Sequence, residues 1–134
     1  MEILKSAECP SLSGSSILTY QIGSKDGKDI HLCLTGNTGK GIFNKDWISL
    51  EEIDSLLANQ EKVTSGSLHG LFEGKSFNSA GFVLAVILSE GLLKISSNNE
   101  RHYERIDQKE YRKIIQAYNK KKKTGKKGKG VTND

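Results

Sequence analysis

A nine-residue apolar run from Ala80 to Leu88 limits the folds open to this chain of 134 residues. The run holds no charged or polar side chain, so no face of it suits water and the remaining chain must surround it. Asn78 before the run is a favourable helix N-cap, and Gly91 after it suits a left-handed helix end. Both caps favour a buried helix, although periodicity alone leaves a buried strand as the alternative.

Alternating apolar and polar residues before the run predict a β-hairpin. Its apolar positions are Leu18, Tyr20, Ile22, Ile30, Leu32 and Leu34. A three-residue loop at 25–27, with Gly27 left-handed in a bulge, pairs residue 22 with residue 30 and brings all six onto one face. A two-residue turn at 26–27 would place the two rows on opposite faces, so we expect the bulged hairpin.

Two helices are predicted between the hairpin and the apolar run. Ser49 and Glu52 have the spacing of a capping box, and apolar residues at helical spacing follow until Asn59. A shorter helix is expected over residues 67–73, where apolar residues again recur at helical spacing.

Two strands and a last helix are predicted after the apolar run. Residues 92–95 and 101–106 flank a polar turn, which is typical of a second hairpin. Asp107 with Glu110 repeats the capping-box spacing. Apolar residues then recur at helical spacing, at Tyr111, Ile114, Ile115 and Tyr118. This helix should therefore pack onto the domain.

The formal net charge of +4 is unevenly distributed along the chain. Residues 120–134 hold seven lysines and one aspartate, for +6, so residues 1–119 carry −2. We therefore expect a flexible leader over 1–15, a single α+β domain over 16–119 and a disordered lysine-rich tail over 120–134. The basic pI of about 9.0 reflects the tail and not the part that folds.

The sequence predicts neither export nor membrane insertion. No apolar run reaches the roughly 18 residues that a membrane span needs, and the acidic N-terminal residues do not suit a secretory signal. The two cysteines, Cys9 and Cys33, are too few for a disulfide scaffold. We therefore expect a cytoplasmic protein without membrane contact.

Three predicted helices followed by a hairpin occupy residues 49–106. The stretch Val83-Leu-Ala-Val-Ile-Leu-Ser-Glu-Gly-Leu-Leu93 joins the third helix to the first hairpin strand. This order and this stretch resemble the winged-helix superfamily, in which the hairpin is the wing. The resemblance implies a winged-helix-like α+β fold, with an N-terminal β-hairpin, three helices, a wing-like hairpin and a C-terminal helix. Because one fold hosts many activities, it implies no function by itself.

Two glycine-containing stretches suggest a phosphate-binding loop but lack its spacing. That loop needs Gly-x-x-x-x-Gly-Lys-Ser/Thr, so that backbone amides surround the phosphates. Gly74-Lys75-Ser76 has the required ending, but His69 occupies the position of the first glycine. Residues 39–41 lack the final hydroxyl. We expect simple turns at both places and no nucleotide cofactor.

The chain offers few metal ligands or nucleophiles. Its histidines and cysteines are Cys9, His31, Cys33, His69 and His102. They do not show the sequence spacing that is typical of metal ligands. His31 and Cys33 share one face of a strand, where a structural role is favoured because no orienting third group accompanies them. We predict no catalytic residue, no metal and no cofactor. An enzyme site around His31, Cys33 and His102 is kept as a further hypothesis, less favoured than the non-enzymatic functions described below.

The remaining signals indicate phosphate contacts from the tail, the wing and the start of the third helix. The candidate nucleic-acid-binding residues are Lys75, Ser76, Asn78, Arg101, His102, Arg105, Lys120, Lys121, Lys122, Lys123, Lys126 and Lys127. Because Glu100 and Glu104 lie within the wing, a salt-bridged surface strand is the alternative there.

These signals predict a small non-enzymatic nucleic-acid-associated protein, a DNA-binding regulatory or accessory factor. The third helix has no Arg, Lys, Asn or Gln between Ala80 and Leu88, which argues against sequence-specific reading. The alternative is a protein-interaction module or homodimer, indicated by the acidic folded part and the very apolar third helix. In that case the tail adds only electrostatics.

Overall fold

The computed structural model of the chain describes residues 1–39, 43, 45–60, 62–64, 66–72, 79–96 and 102–127, with side chains as far as residue 119. Its strands are β1 (Glu2–Pro10), β2 (Ile17–Ser24), β3 (Ile30–Asn37), β4 (Ile48–Ser49), β5 (Leu93–Ile95) and β6 (Tyr103–Arg105). Its helices are α1 (Leu50–Ala58), a 3-10 helix (His69–Phe72), α2 (Ser79–Ser89) and α3 (Gln108–Lys127). This content confirms the predicted α+β class.

Two antiparallel sheets organise the fold. The larger has the strand order β1-β2-β3-β4, and the smaller pairs β5 with β6. A single bridge between Val63 and Tyr103 adds one further position to the smaller sheet. The core lies between one face of the larger sheet and the helices, since α2 contacts β1, β2, β5 and the 3-10 helix.

The predicted flexible leader is wrong for residues 2–10, which are the edge strand β1. This strand pairs with β2, and a β-bulge interrupts the register between Ile3 and Lys5. Leu4 and Cys9 are both buried in the core, although strict alternation would place them on opposite faces. The bulge therefore hides the period-two pattern, and Pro10 is tolerated because it ends an edge strand.

The first hairpin has the predicted apolar face but not the predicted register. Ile22 pairs with Leu32 instead of Ile30. The connection between the strands spans residues 25–29, and Gly27 is left-handed as predicted, with a φ of +83°. A slip of two residues leaves every side chain on its original face, so all six apolar side chains are still buried.

α1 begins and ends where the sequence predicts. Ser49 Oγ accepts hydrogen bonds from the backbone N–H groups of Glu51 and Glu52, and Asn59 is the C-cap. These contacts satisfy amide groups that the first helical turn leaves unpaired. Of the helix predicted over 67–73, the described residues 67–72 contain a 3-10 helix of four residues, His69–Phe72, and residue 73 lies outside the described part.

The apolar run is a helix and not the alternative strand. Gly91 follows α2 with a φ of +80°, and its N–H donates to Leu88 O at 3.1 Å. The N–H of Leu92 donates to Ile87 O at 2.9 Å, which completes a Schellman motif. The predicted N-cap, Asn78, lies outside the described residues.

The chain buries α2 without a second subunit. The buried residues of the helix are Ser79, Ala80, Val83, Leu84, Ala85, Val86 and Ile87. The larger sheet and the 3-10 helix supply the surfaces that cover them. The apolar character of α2 therefore gives no reason to expect a dimer.

The last helix is longer than expected. It begins directly after the predicted cap residue, Asp107, and its backbone stays helical to Lys127. This differs from the disorder predicted for residues 120–127, while residues 128–134 lie outside the described part of the chain. Lysine is a good helix former, so a helix nucleated against the body can extend through this segment despite Gly125.

Candidate nucleic-acid interface

In the sequence, the predicted nucleic-acid-binding residues lie just before α2, from residue 101 to the end of β6, and at the end of α3. Those outside the described residues are Lys75, Ser76, Asn78 and Arg101. The six lysines from 120 to 127 lie on the last turns of α3, where the structure describes the backbone. The second hairpin contributes His102 and Arg105.

Arg105 is held by the body of the protein. Its Nε lies 3.3 Å from Asp54 Oδ1, and its Nη2 lies 3.0 Å from Oδ1 and 3.1 Å from Oδ2 of the same residue. This bidentate ion pair joins β6 to α1. The side chain of Arg105 is 31% exposed and that of Asp54 is 26% exposed. A guanidinium neutralised in this way is a poor phosphate ligand. The geometry therefore favours a structural role for Arg105.

The rest of the second hairpin also makes internal polar contacts. Lys94 Nζ lies 3.9 Å from Glu104 Oε1, and Ser96 Oγ donates to Glu104 Oε2 at 3.0 Å. The backbone carbonyl of His102 accepts from the N–H of Ser96 at 2.9 Å, and the His102 side chain is half-buried. These contacts fit the alternative of a salt-bridged surface strand.

The described part of α2 has no Arg, Lys, Asn or Gln, the side chains that make paired hydrogen bonds to bases. Its buried face packs in the core, its partly exposed residues are Gly81, Phe82 and Leu88, and its last residue, Ser89, is exposed. Phe82 lies edge-to-face against Phe43, with 6.3 Å between ring centroids. Specific contacts to base edges in the major groove come mainly from long polar side chains, and the one exposed polar side chain of α2 is the short hydroxyl of Ser89.

α3 has two parts of different chemistry. In the docked part, residues 108–119, Tyr111 OH donates to Leu50 O at 3.4 Å, and Tyr118 is buried with 6% of its surface exposed. The lysine part, residues 120–127, holds six lysines and no acidic residue. Eight helical residues span about 12 Å, or roughly one charge per 2 Å. That spacing is close to the charge spacing of duplex DNA, about one per 1.7 Å.

A buried polar cluster that the sequence analysis missed joins the docked part to the larger sheet. Glu90 directly follows α2, and its side chain is only 3% exposed. Its carboxylate accepts hydrogen bonds from Tyr20 OH and, at 2.5 Å, from Tyr118 OH. Lys5 Nζ lies 3.1 Å from Oε1 and 2.8 Å from Oε2. We call these four residues the Glu90 cluster.

The cluster keeps its carboxylate charged despite burial. Burial alone would raise the pKa of Glu90, but hydrogen bonds from Lys5, Tyr118 and Tyr20 outweigh it and hold this pKa below its ordinary value. Burial, followed by the hydrogen bond to Glu90, raises the pKa of both tyrosines, so they remain protonated donors. One sequence signal exists: an acid at the C-terminal end of a helix opposes the helix dipole and needs partners.

The surroundings of His31, Cys9 and Cys33 favour structural roles over catalysis or metal binding. His31 Nδ1 lies 3.3 Å from Asp29 O. Cys9 and Cys33 are free and buried, and burial raises the pKa of each thiol, which disfavours the reactive thiolate. The described residues contain no group of three or more His, Cys, Asp or Glu that could hold a metal ion. Nor is any helix among them long and apolar enough to cross a membrane.

What the described residues offer a nucleic acid is the lysine part of α3, continuous with a docked part that packs on the body. Comparisons with protein-family models, with curated proteins and with solved structures found no match to this chain.

Proposed function

We propose that this protein is a small non-enzymatic nucleic-acid-binding accessory factor that contacts phosphates through the lysine part of α3. The observation that carries the proposal is the continuity of α3, whose backbone joins the docked part to six lysines in eight residues. Lysines on a helix that is already formed lose less conformational entropy on binding than lysines on a disordered tail. Their positive charge also complements the helix C-terminus.

The expected binding is independent of base sequence. α2 carries no Arg, Lys, Asn or Gln, and Arg105 is paired with Asp54. Phosphate contacts from lysines gain affinity mainly by releasing counterions, and they carry no sequence information. We therefore expect similar affinities for unrelated sequences and a steep dependence on salt.

We infer that residues 49–106 are a winged-helix-like module that serves as a scaffold. α1, the 3-10 helix and α2 are followed by the β5–β6 hairpin, which is the order that the resemblance requires. The larger sheet covers α2, which does not suit placing that helix in a DNA groove. The module also receives hydrogen bonds from α3 at Leu50 and Glu90, which suits it to holding that helix.

A charge-neutralised variant tests the proposal directly. The variant carries Lys120→Gln, Lys121→Gln, Lys122→Gln and Lys123→Gln. At about 0.1 M salt, fluorescence anisotropy with a duplex should show an affinity loss on the order of tenfold or more, because up to four phosphate contacts disappear. Glutamine keeps a similar helix propensity, so the helix itself should persist.

A matched control removes the same charge from the body. It carries glutamine at the exposed residues Lys25, Lys28, Lys62 and Lys109. This variant should bind the duplex within about threefold of the unmodified chain, apart from a small long-range electrostatic effect. Equal losses in the two variants would show that net charge alone drives binding and would overturn the assignment to α3.

The alternative of an interaction module rests on weaker ground. The apolar α2 is covered within the chain, and the large exposed apolar residues in the described part, Met1, Ile3, Ile17 and Ile95, are distributed over the ends of different strands. Scattered apolar residues are ordinary on a protein surface. The remaining support for an interaction module is the formal net charge of −2 on residues 1–119.

A further inference from the structure

We propose that Glu90 is a positioning residue that fixes the direction of the lysine part of α3. This inference rests on the proposed function, since it concerns how the phosphate-binding segment is presented. Its basis is the convergence of four elements on one buried carboxylate: β1 through Lys5, β2 through Tyr20, the end of α2 through Glu90 itself, and α3 through Tyr118.

The position of Tyr118 gives the cluster its effect on the lysines. Tyr118 is buried and lies two residues before Lys120, where the lysine part begins. The hydrogen bond from its hydroxyl to Glu90 fixes the last docked turn of the helix against the end of α2. An α-helix is stiff over two to three turns, so the direction of that turn sets the direction of residues 120–127.

Glu90 depends on these partners because its own helix does not stabilise it. A carboxylate at a helix C-terminus faces the negative end of the dipole. The titratable groups that face it are Lys5 and Cys9 from β1, Tyr20 from β2 and Tyr118 from α3. Of these, Lys5 alone brings positive charge, so both phenols are needed to satisfy the remaining acceptor sites.

The first experiment measures hydrogen exchange in the full chain without nucleic acid. Tyr118→Phe removes one hydroxyl and keeps the ring, whereas Tyr111→Phe is the matched control on the same helix. Exchange in the peptide covering the end of α3 should be on the order of tenfold faster in Tyr118→Phe, which corresponds to the loss of one hydrogen bond to a charged group. Unchanged exchange, or equal acceleration in the control, would overturn the proposal.

A second experiment separates positioning from general destabilisation. Duplex affinity is measured for Tyr118→Phe, for the four-lysine variant and for both combined. If Glu90 and Tyr118 act by aiming the lysines, Tyr118→Phe should weaken binding severalfold in the unmodified chain and leave the four-lysine variant almost unaffected. Equal losses in both backgrounds would contradict positioning. Absence of duplex binding would overturn the proposed function, while the exchange result would still decide the role of the cluster.

Discussion

The docked part and the lysine part of α3 share one helical backbone but depend on different forces. Residues 108–119 contribute buried tyrosine and isoleucine surface, and Tyr118 adds a hydrogen bond to the buried carboxylate of Glu90. Residues 120–127 contribute charge, with six lysines and no acid. Packing and buried hydrogen bonds therefore hold the first part, while helix propensity and continuity with the docked part sustain the second.

This difference separates stability from binding within a single element. Changes in the docked part should alter the free energy of unfolding, because they remove buried surface or buried hydrogen bonds. Changes in the lysine part should alter nucleic-acid affinity and leave unfolding almost unchanged, because surface substitutions usually cost less than about 0.5 kcal/mol.

The largest effect is expected from Tyr118→Ala. Truncation of this buried ring leaves a cavity and an unpaired acceptor on Glu90, so the free energy of unfolding should fall by about 3–5 kcal/mol. Urea denaturation followed by circular dichroism measures the change. The four-lysine variant is the control and should unfold within about 0.5 kcal/mol of the unmodified chain. A comparable loss in that control would remove the distinction between the two parts.

A smaller effect is expected from pH. The pKa of Glu90 is lowered from 4.5, so the folded chain binds this proton less readily than the unfolded chain. Its contribution to stability is complete above the ordinary value and is lost as pH falls through the folded value. Urea midpoints from about pH 6 to pH 3 should show this loss in the unmodified chain and a flatter profile in Glu90→Gln.

The exposed residue Glu51 supplies the control for this titration. Glu51→Gln should keep the acid sensitivity of the unmodified chain, since its carboxylate is not part of the cluster. If Glu90→Gln retained the full pH dependence, the buried carboxylate would not be the group that titrates.

The smallest effect is expected from Gly125→Ala. Alanine favours a helix by about 0.8–1 kcal/mol relative to glycine, so residues 120–127 should become more helical. The far-ultraviolet circular dichroism signal should increase slightly, and amide exchange in the lysine part should slow by up to about fivefold. The urea midpoint of the body should not move. A shifted midpoint would mean that the lysine part contributes to the folded core.

Features that depend on residues close together in the sequence were predictable. The ends of α1 are marked by Ser49 and Asn59. The end of α2 is marked by Gly91, because a Cβ atom would disfavour the left-handed conformation found there. The face of the first hairpin was also predictable, because period-two alternation assigns it. Its register was not, because a slip of two residues preserves that same face.

Features that depend on distant residues could not be predicted in the same way. The bulge after Ile3 disguises β1 as an irregular segment. Arg105 has basic character in the sequence, but its partner Asp54 is 51 residues away and comes from another element. Glu90 likewise gains its partners from three other elements, so only its opposition to the helix dipole was visible beforehand.

The most direct measurement is the salt dependence of duplex binding by the full chain. Affinities for several unrelated duplexes of equal length would be determined by fluorescence anisotropy between about 50 and 300 mM salt. If all six lysines of the lysine part meet phosphates, the logarithm of the association constant should fall with the logarithm of salt concentration with a slope of about −5, at similar affinity for every sequence. A slope near zero, or one sequence preferred by about a hundredfold or more, would contradict phosphate binding through α3.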